Sequence, residues 1–582
     1  MSYNLVDEPW IDVIYADGKR RSIGLSELFR DAHLIKDMTT ATFRGVTFPF
    51  YNYLVLRLCC GILADAYNDK EETFDAKELL SEKEFDMSEG SAVNEYFEKY
   101  KPRFDLFDKK HPFMQAGEED IAMWRSLGCT LEAKEKNILK INPCAPAESA
   151  RITEVRAPEM AKMLQAVGCS SPQPLYGFDL KNVDSNTFTS TITDIYAIPA
   201  KEWAYICLYH NCTAPGVGAG NKSSLAGNAF YAETLQGKNM FQTIVMNSIA
   251  IAQSKHKLTD KPIWRWESQG DLFFNPNEVE FSNLSGLFCP AKVFAADKVE
   301  NNIVRSVSQS PMRFKENVDK NFLENLRQKW AIEYEPHFVV NYKDFPMKKE
   351  KDKTEVRDYA KNPYRSMSAG ASRLWTLVGA TQTKIARIEE SDFKKLAMAA
   401  KNTRKRFGEN GKPLFLDDDV HIRNYFRICD SHWVYQATGT QDGTLPFALF
   451  LDEEKQLFVR KTIEYVSNVS EKLDECARAY LKRSDIRPSL EFSTAMYSFL
   501  GINGEHEKFF RKIADTSKKD DLDKLWDELT LHLNKTAKAI FNKLLMPAKI
   551  PEFYAQMSML GKAIYGKKGE KLYVRNKEKH SK

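Results

Sequence analysis

The stretch 454-EKQLFVRKTIEYVSNVSEKLDECARAYLKR-483 decides how the last quarter of the chain folds. Its apolar residues recur at three- and four-residue steps with charges between them, the period of an amphipathic helix and not the alternation of a strand. EFSTAMYSFLGI, HEKFFRKIAD, LDKLWDELTLHLNKTAKAIFNKLLM and PEFYAQMSMLGKAIYG repeat the pattern with short breaks. Together these stretches predict a C-terminal four-helix bundle over residues 447–570. Residues 571–582 follow as a basic tail, since the closing GKKGEKLYVRNKEKHSK holds seven Lys or Arg against two Glu.

Upstream the texture is different. NLVDEPWIDVIYA and RRSIGL flank Asp17-Gly18, a dipeptide that tolerates positive φ, and read as a β-hairpin followed by a helix over 25–32. FYNYLVLRLCCGILADA (50–66) is apolar nearly all round, which predicts a helix buried on most sides. Pro199 suits a first helical turn, and AKEWAYICLYHN continues it with Trp203, Ile206, Cys207 and His210 at helical steps. NMFQTIVMNSIAIAQ (239–253) is another helix, the segment 271–296 turns and alternates like strands, and the charge run 348–365 reads as a solvated loop. Residues 1–440 are therefore expected to form a mixed α/β domain, and the whole chain to be α+β.

At 582 residues the chain exceeds what one hydrophobic core supports, and 43% hydrophobic residues supply more than one. The 84 Lys and Arg nearly balance the 80 Asp and Glu, so nucleic-acid affinity has to come from local patches and not from an overall field. Neither a basic segment leading an apolar one at the N-terminus nor a membrane-length apolar run is present, so no membrane partner and a cytoplasmic location are expected. Ten cysteines without a CxxC fit reduced thiols. Cys207, His210 and Cys212 are close in sequence, but a structural zinc site takes four ligands, so a metal there competes with plain buried thiols and none is expected.

The stretch 214-APGVGAGNKSS-224 raises the question of function. A phosphate loop needs GxxxxGK[ST] after a strand; here Asn221 separates Gly220 from Lys222, and the preceding element is a helix. The dinucleotide fingerprint fails as well, since Asn221 stands where the third glycine belongs after Gly216 and Gly218. HExxH and GxSxG are missing, Asp417–Asp419 reads as a turn, and His111 has no recognisable partner, so no catalytic residues and no cofactor are expected. Closely spaced glycines let a backbone approach a ligand surface, and Asn221, Lys222, Ser223 and Ser224 add donors for phosphates or base edges. A nucleotide-binding enzyme with a degenerate loop and a purely structural scaffold stay open as alternatives.

NLVDEPWIDV with its Asp-Gly turn, DLFDKKHPFMQ (105–115), APGVGAGNKSSLAG (214–227), GLFCPA (286–291) and the C-terminal helices occur in that order. In this combination the chain resembles the large subunit of the type I-E CRISPR Cascade complex, the CasA family, over nearly its whole length; residues 116–198 look longer than that family usually has. The resemblance implies a noncatalytic subunit of an RNA-guided antiviral complex. Base pairing with guide RNA reads the target, while this subunit reads the protospacer-adjacent motif in duplex DNA through the minor groove, promotes strand opening and recruits a helicase–nuclease. It implies other Cascade subunits, guide RNA and double-stranded DNA as partners. Residue by residue, Gly216, Gly218 and Gly220 match the family's glycine loop, with Asn221 and Lys222 as added donors. Lys298 is the candidate for its lysine finger and Lys292 the second choice. Asn186, Phe188 and Thr189 fall in the region that would touch the guide's 5′ end and the neighbouring subunit. Related subunits carry a glutamine wedge two residues after a tryptophan; here Leu377 follows Trp375 in SRLWTLVG, with Gln382 five residues on. Leu377 is thus either an apolar wedge or part of a buried helix face.

Overall fold

In the computed structural model the described residues are 2–39, 42–43, 46–47, 50–115, 117–118, 130–135, 138–142, 153–156, 198–212, 230–252, 292–311, 318–319, 347–349, 355–357, 419–429, 435–450, 453–484, 486–516, 519–544 and 550–565. The chain divides into two compact units: Met1–Phe338 with Ser391–Leu396 and Tyr425–Thr440, and Val339–Glu390 with Ala397–Asn424 and Gln441–Lys582. Helices and small sheets are mixed along it, an α+β composition. Among the described residues no helix is long and apolar enough to cross a membrane.

The first unit opens on an antiparallel sheet of order β2-β1-β3, with β1 Ile11–Tyr15, β2 Arg20–Ile23 and β3 Ile35–Met38. Gly18 closes the first hairpin at φ +85°, the left-handed conformation that favours glycine. Helix α1 (Leu25–Arg30) follows. Its first N–H groups, those of Leu25 and Ser26, are satisfied by the carbonyls of Leu5 and Val6 at 3.0 and 2.9 Å. The two chain segments approach so closely that a Cβ on Gly24 would lie 2.5 Å from the Val6 carbonyl oxygen. The helix stops two residues before the expected 32, because Leu34 and Ile35 turn back to donate to the Asp31 carbonyl and lead directly into β3.

Helix α2 (Phe50–Asp69) is the centre of this unit: every residue from 51 to 66 is buried, as its nearly all-round apolar sequence requires. Even Arg57 is enclosed, with its guanidinium donating to the Tyr53 hydroxyl at 2.9 Å. Helices α3 (Ala76–Glu82), α4 (Ala92–Tyr100), α5 (Ala200–Cys212) and α6 (Met240–Ala252) complete the helical part, and α4, α5 and α6 pack on α2. Aromatic edges fill the junctions, with Trp10 against Tyr205 at 5.3 Å and Phe85 against Phe241 at 4.7 Å between centroids.

In the second unit the charge run expected to be a plain loop contains a short hairpin, Met347–Lys349 paired with Glu355–Arg357. In its register Met347 stands opposite Arg357, Lys348 opposite Val356 and Lys349 opposite Glu355. Asp419, expected in a turn, instead opens the strand Asp419–Cys429, and its carboxylate accepts from Arg511. The predicted helical stretches are helices: α7 (Glu453–Leu481), α8 (Ser489–Leu500), α9 (Phe509–Asp515), α10 (Lys519–Asn542) and α11 (Ile550–Tyr565). Helix α7 packs against α8, α10 and α11 through Phe458, Ile463, Val466, Val469, Leu473 and Tyr480, which recur at helical steps on its buried face. Tyr465 stacks on Trp526 at 5.0 Å, and Phe541 on Phe553 at 4.9 Å. The α7–α8 connection is fixed by buried Asp474, which accepts from the Ser489 N–H and hydroxyl at 2.9 Å each and from Arg478 at 3.0 Å.

Candidate nucleic-acid interface

Gly216, Gly218, Gly220, Asn221 and Lys222 lie outside the described residues, as do Asn186, Phe188, Thr189, Leu377 and Gln382. What the structure shows is the mounting on either side of the glycine stretch. On its N-terminal side α5 ends at Cys212. The first turn of α5 is tied to the β1–β2 hairpin by Lys201, whose ammonium donates to Asp12 at 2.6 Å and to Ser22 at 3.1 Å. At its last turn buried Asn211 donates through Nδ2 to the Met114 carbonyl at 3.0 Å and the Cys207 carbonyl at 2.8 Å. A side chain that closes a helix end and grips a neighbouring segment fixes where the chain departs.

On the C-terminal side the strand Phe230–Leu235 returns to α6. Buried Asn247 on α6 serves both backbone groups of Leu235: its Oδ1 accepts from the Leu235 N–H at 3.0 Å, and its Nδ2 donates to the Leu235 carbonyl at 2.7 Å. The start of α6 is itself capped, since the Gln242 N–H donates to the Asn239 side chain at 3.0 Å and Gln242 Oε1 accepts from the Lys238 N–H at 2.9 Å. Both flanks of the glycine stretch are therefore pinned by buried asparagines.

Lys298 belongs to a second element, the antiparallel hairpin Lys292–Glu300 and Ile303–Pro311. Asn301 and Asn302, at φ 51° and 59°, supply the pair of left-handed residues that a two-residue turn of this twist requires. The backbone at Lys298 faces Ser306 between two register shifts, so it sits in a doubly bulged part of the hairpin. The hairpin docks onto the start of α5: Ile303 and Val304 pair with Pro199 and Ile198, and the Ala200 N–H donates to the Asn302 carbonyl at 2.8 Å. Lys292 opens the same hairpin, paired with Pro311.

The block 105–115 joins these parts. The Asp105 carboxylate accepts from the N–H groups of Tyr3 and Phe107 at 3.1 and 2.9 Å, and that of Asp108 from Lys110 and His111 at 2.9 and 2.6 Å. The block's last residue, Gln115, is 1% exposed. Its Oε1 accepts from the Trp203 indole of α5 and from the Ala296 N–H of the hairpin, each at 2.9 Å. Its Nε2 donates to the carbonyls of Leu106 and Phe113 at 2.9 and 3.2 Å. One amide thus links the block, the helix leading to the glycine stretch and the hairpin of Lys298.

Burial pushes the Tyr205 phenol and the Cys207 thiol upward, so at neutral pH both are uncharged packing groups. Cys207 and Cys212 are buried cysteines, and among the described residues no cluster of His, Cys, Asp and Glu is arranged to hold a metal ion. Gln115, Asn211 and Asn247 escape a reading of the sequence alone. The available signal was a polar residue placed where an apolar helix or block ends, which does not say what it bonds.

The architecture is that of the solved Cse1 structures. Aligned with the crystal structure of CasA from Thermus thermophilus it gives a TM-score of 0.52 at 16% identity, over 97% of this chain and 100% of that one. Thermobifida fusca Cse1 gives 0.56 at 13% identity, covering 97% of this chain and 98% of that one. Acidimicrobium ferrooxidans Cse1 gives 0.53 at 13% identity with the same coverage. At such identities the likeness shows the fold. Residues 4–275 match the family model described as CRISPR-associated protein Cse1. No curated protein sequence gives a significant match. Residues 4–275 thus carry the Cse1 family match, and the fold over 97% of the chain is that of the solved CasA (Cse1) structures.

Proposed function

We propose that the chain is the noncatalytic DNA-reading subunit of an RNA-guided antiviral surveillance complex, recognising a protospacer-adjacent motif in duplex DNA and starting the opening of the strands. The observation that carries this reading is the Cse1 match over residues 4–275, a span that contains a glycine stretch held at both ends by buried asparagines. A rigidly mounted, glycine-rich backbone suits a narrow groove, where any side chain would hold the duplex away. In this reading Gly216, Gly218 and Gly220 approach the base pairs, Asn221 and Lys222 add donors, and Lys298 enters from the bulged hairpin as the lysine finger. Leu377 acts as an apolar wedge at the first base step, which separates strands without reading a particular base.

Asn186, Phe188 and Thr189 contact guide RNA and a neighbouring subunit. The helices α7, α8, α10 and α11 form a four-helix bundle that lines the path of the DNA, and the assembled complex recruits the helicase–nuclease. No catalysis is assigned to this chain. The test is the complex assembled with guide RNA, measured against a library of flanking motifs. Gly218→Asp should abolish motif-dependent duplex binding while assembly survives, because it brings a side chain and a negative charge to an electronegative groove. Undiminished motif-dependent binding by Gly218→Asp would overturn the assignment.

A further inference from the structure

We propose that Gln115 is a positioning residue for motif readout, setting the hairpin of Lys298 relative to the helix that leads into the glycine stretch. The proposal rests on the DNA-reading role above and adds how its two halves are kept in register. Gln115 closes the block 105–115, the most distinctive stretch of the chain that the DNA-reading role leaves without a task. All the hydrogen-bonding capacity of its amide is engaged: Oε1 accepts from Trp203 and Ala296, and Nε2 donates to Leu106 and Phe113. The amide orientation is therefore fixed, since a flip would set donors against donors and acceptors against acceptors. At 1% exposure, water has no access to replace a lost partner.

The location of the hairpin contact matters most. Ala296 lies just before the first register shift, where the ladder to the partner strand is interrupted, and two residues before Lys298. A strand at a bulge lacks the regular cross-strand bonds that would otherwise hold it, and here a side-chain amide from another element supplies one. The strand Lys292–Glu300 also ends its sheet's order, so among the described residues no further strand holds it from the other side. The other donor on the same oxygen, Trp203, is fully buried in the helix whose last turn departs into the glycine stretch. Loss of the shared acceptor removes the tie at Ala296: Ile303 and Val304 stay paired with Pro199 and Ile198, while the bulged strand that carries Lys298 is free to shift relative to α5. A minor-groove donor tolerates little of this, because hydrogen bonds weaken steeply beyond about 3.2 Å.

The experiment uses the complex assembled with guide RNA and compares duplexes bearing the preferred flanking motif with duplexes bearing disfavoured ones. Gln115→Met, similar in length but without donor or acceptor, should reduce the preference between them by roughly tenfold or more, the scale of one lost base contact. Binding to disfavoured duplexes should change little. If Gln115→Met fails to assemble, Gln115→Asn carries the test: it keeps the amide but is one methylene too short to reach both donors, and it should lose the preference as well. A uniform loss of affinity on all duplexes with the preference intact would overturn the proposal, leaving Gln115 a packing residue. So would wild-type preference in the Met or Asn variant while Gly218→Asp abolishes binding. If Gly218→Asp also binds normally, the DNA-reading assignment itself fails.

Discussion

Replacing Asn247 by leucine isolates the clamp on the C-terminal flank of the glycine stretch. Leucine nearly matches asparagine in shape but removes the acceptor for the Leu235 N–H and the donor for its carbonyl. Leu235 is 1% exposed, so water does not take over either group. Each buried backbone group left without a partner costs about 1–3 kcal/mol. The added apolar side chain returns roughly 1–2 kcal/mol by its own burial. At mid-range the two groups together cost about 4 kcal/mol, so the net expectation is about 2–3 kcal/mol, felt first as easier local release of the strand Phe230–Leu235 from α6. In native-state hydrogen exchange this corresponds to exchange of the Leu235 amide faster by about 30-fold to 150-fold. The Leu28 amide, which donates to the Gly24 carbonyl in α1, should keep its rate because it shares no partner with Asn247. Exchange at Leu235 within about threefold of wild type would mean that the clamp contributes too little to show, contrary to the cost of an unpaired buried group.

Three further outcomes are expected. Gly24→Ala should lower stability by about 1–3 kcal/mol in equilibrium unfolding, because the new methyl would meet the backbone oxygen of Val6 at 2.5 Å and backbone cannot swing aside; an unchanged midpoint would contradict the close approach. Asp474→Ala should cost about 3 kcal/mol and speed proteolytic cleavage between α7 and α8, since the Ser489 and Arg478 donors lose a buried carboxylate; an unaltered cleavage rate would count against the clamp. His532, stacked on Phe499 at 3.8 Å, is held below the usual 6.5 by burial, with Lys535 adding to the effect. A depressed folded pKa means that its contribution is complete above 6.5 and is lost as the pH falls through the lower folded value. His532→Phe should keep the stack and flatten this acid limb in denaturant melts, and an identical limb in the variant would assign it to other groups.

Local chemistry made much of the frame legible. The Asp17-Gly18 hairpin could be read because turn geometry is set by the residues in it, and Gly18 takes the positive φ that the dipeptide suggests. Helix α2 could be read because a sequence apolar on all sides has only an interior to occupy. Helices α5 and α6, on either side of the glycine stretch, followed from their apolar spacing to within a residue or two. The short hairpin at Met347–Lys349 and Glu355–Arg357 was hidden, because a mixed charge run has neither the apolar alternation nor the turn residues by which a strand pair is read from sequence. The buried amides were hidden for a related reason. Nothing local to Gln115 announces that Trp203 and Ala296 will converge on its oxygen, since that depends on how three distant segments pack. Composition reveals that a polar residue is present; only the assembled interior decides what it bonds.

The pinning of the glycine stretch at both ends has a consequence for how such a protein diversifies. Asn211 fixes the point of departure and Asn247 the point of return, each through contacts that lie wholly outside residues 213–229. Between two fixed points, doubling the length of a connecting segment costs only about 0.6 kcal/mol of closure entropy. Changes of length in that stretch therefore add little closure cost to the frame that holds its ends. In the proposed DNA-reading role, the length of the stretch could then be tuned to different DNA flanks at small entropic cost, while the interior that holds its ends stays under the slow constraints of packing.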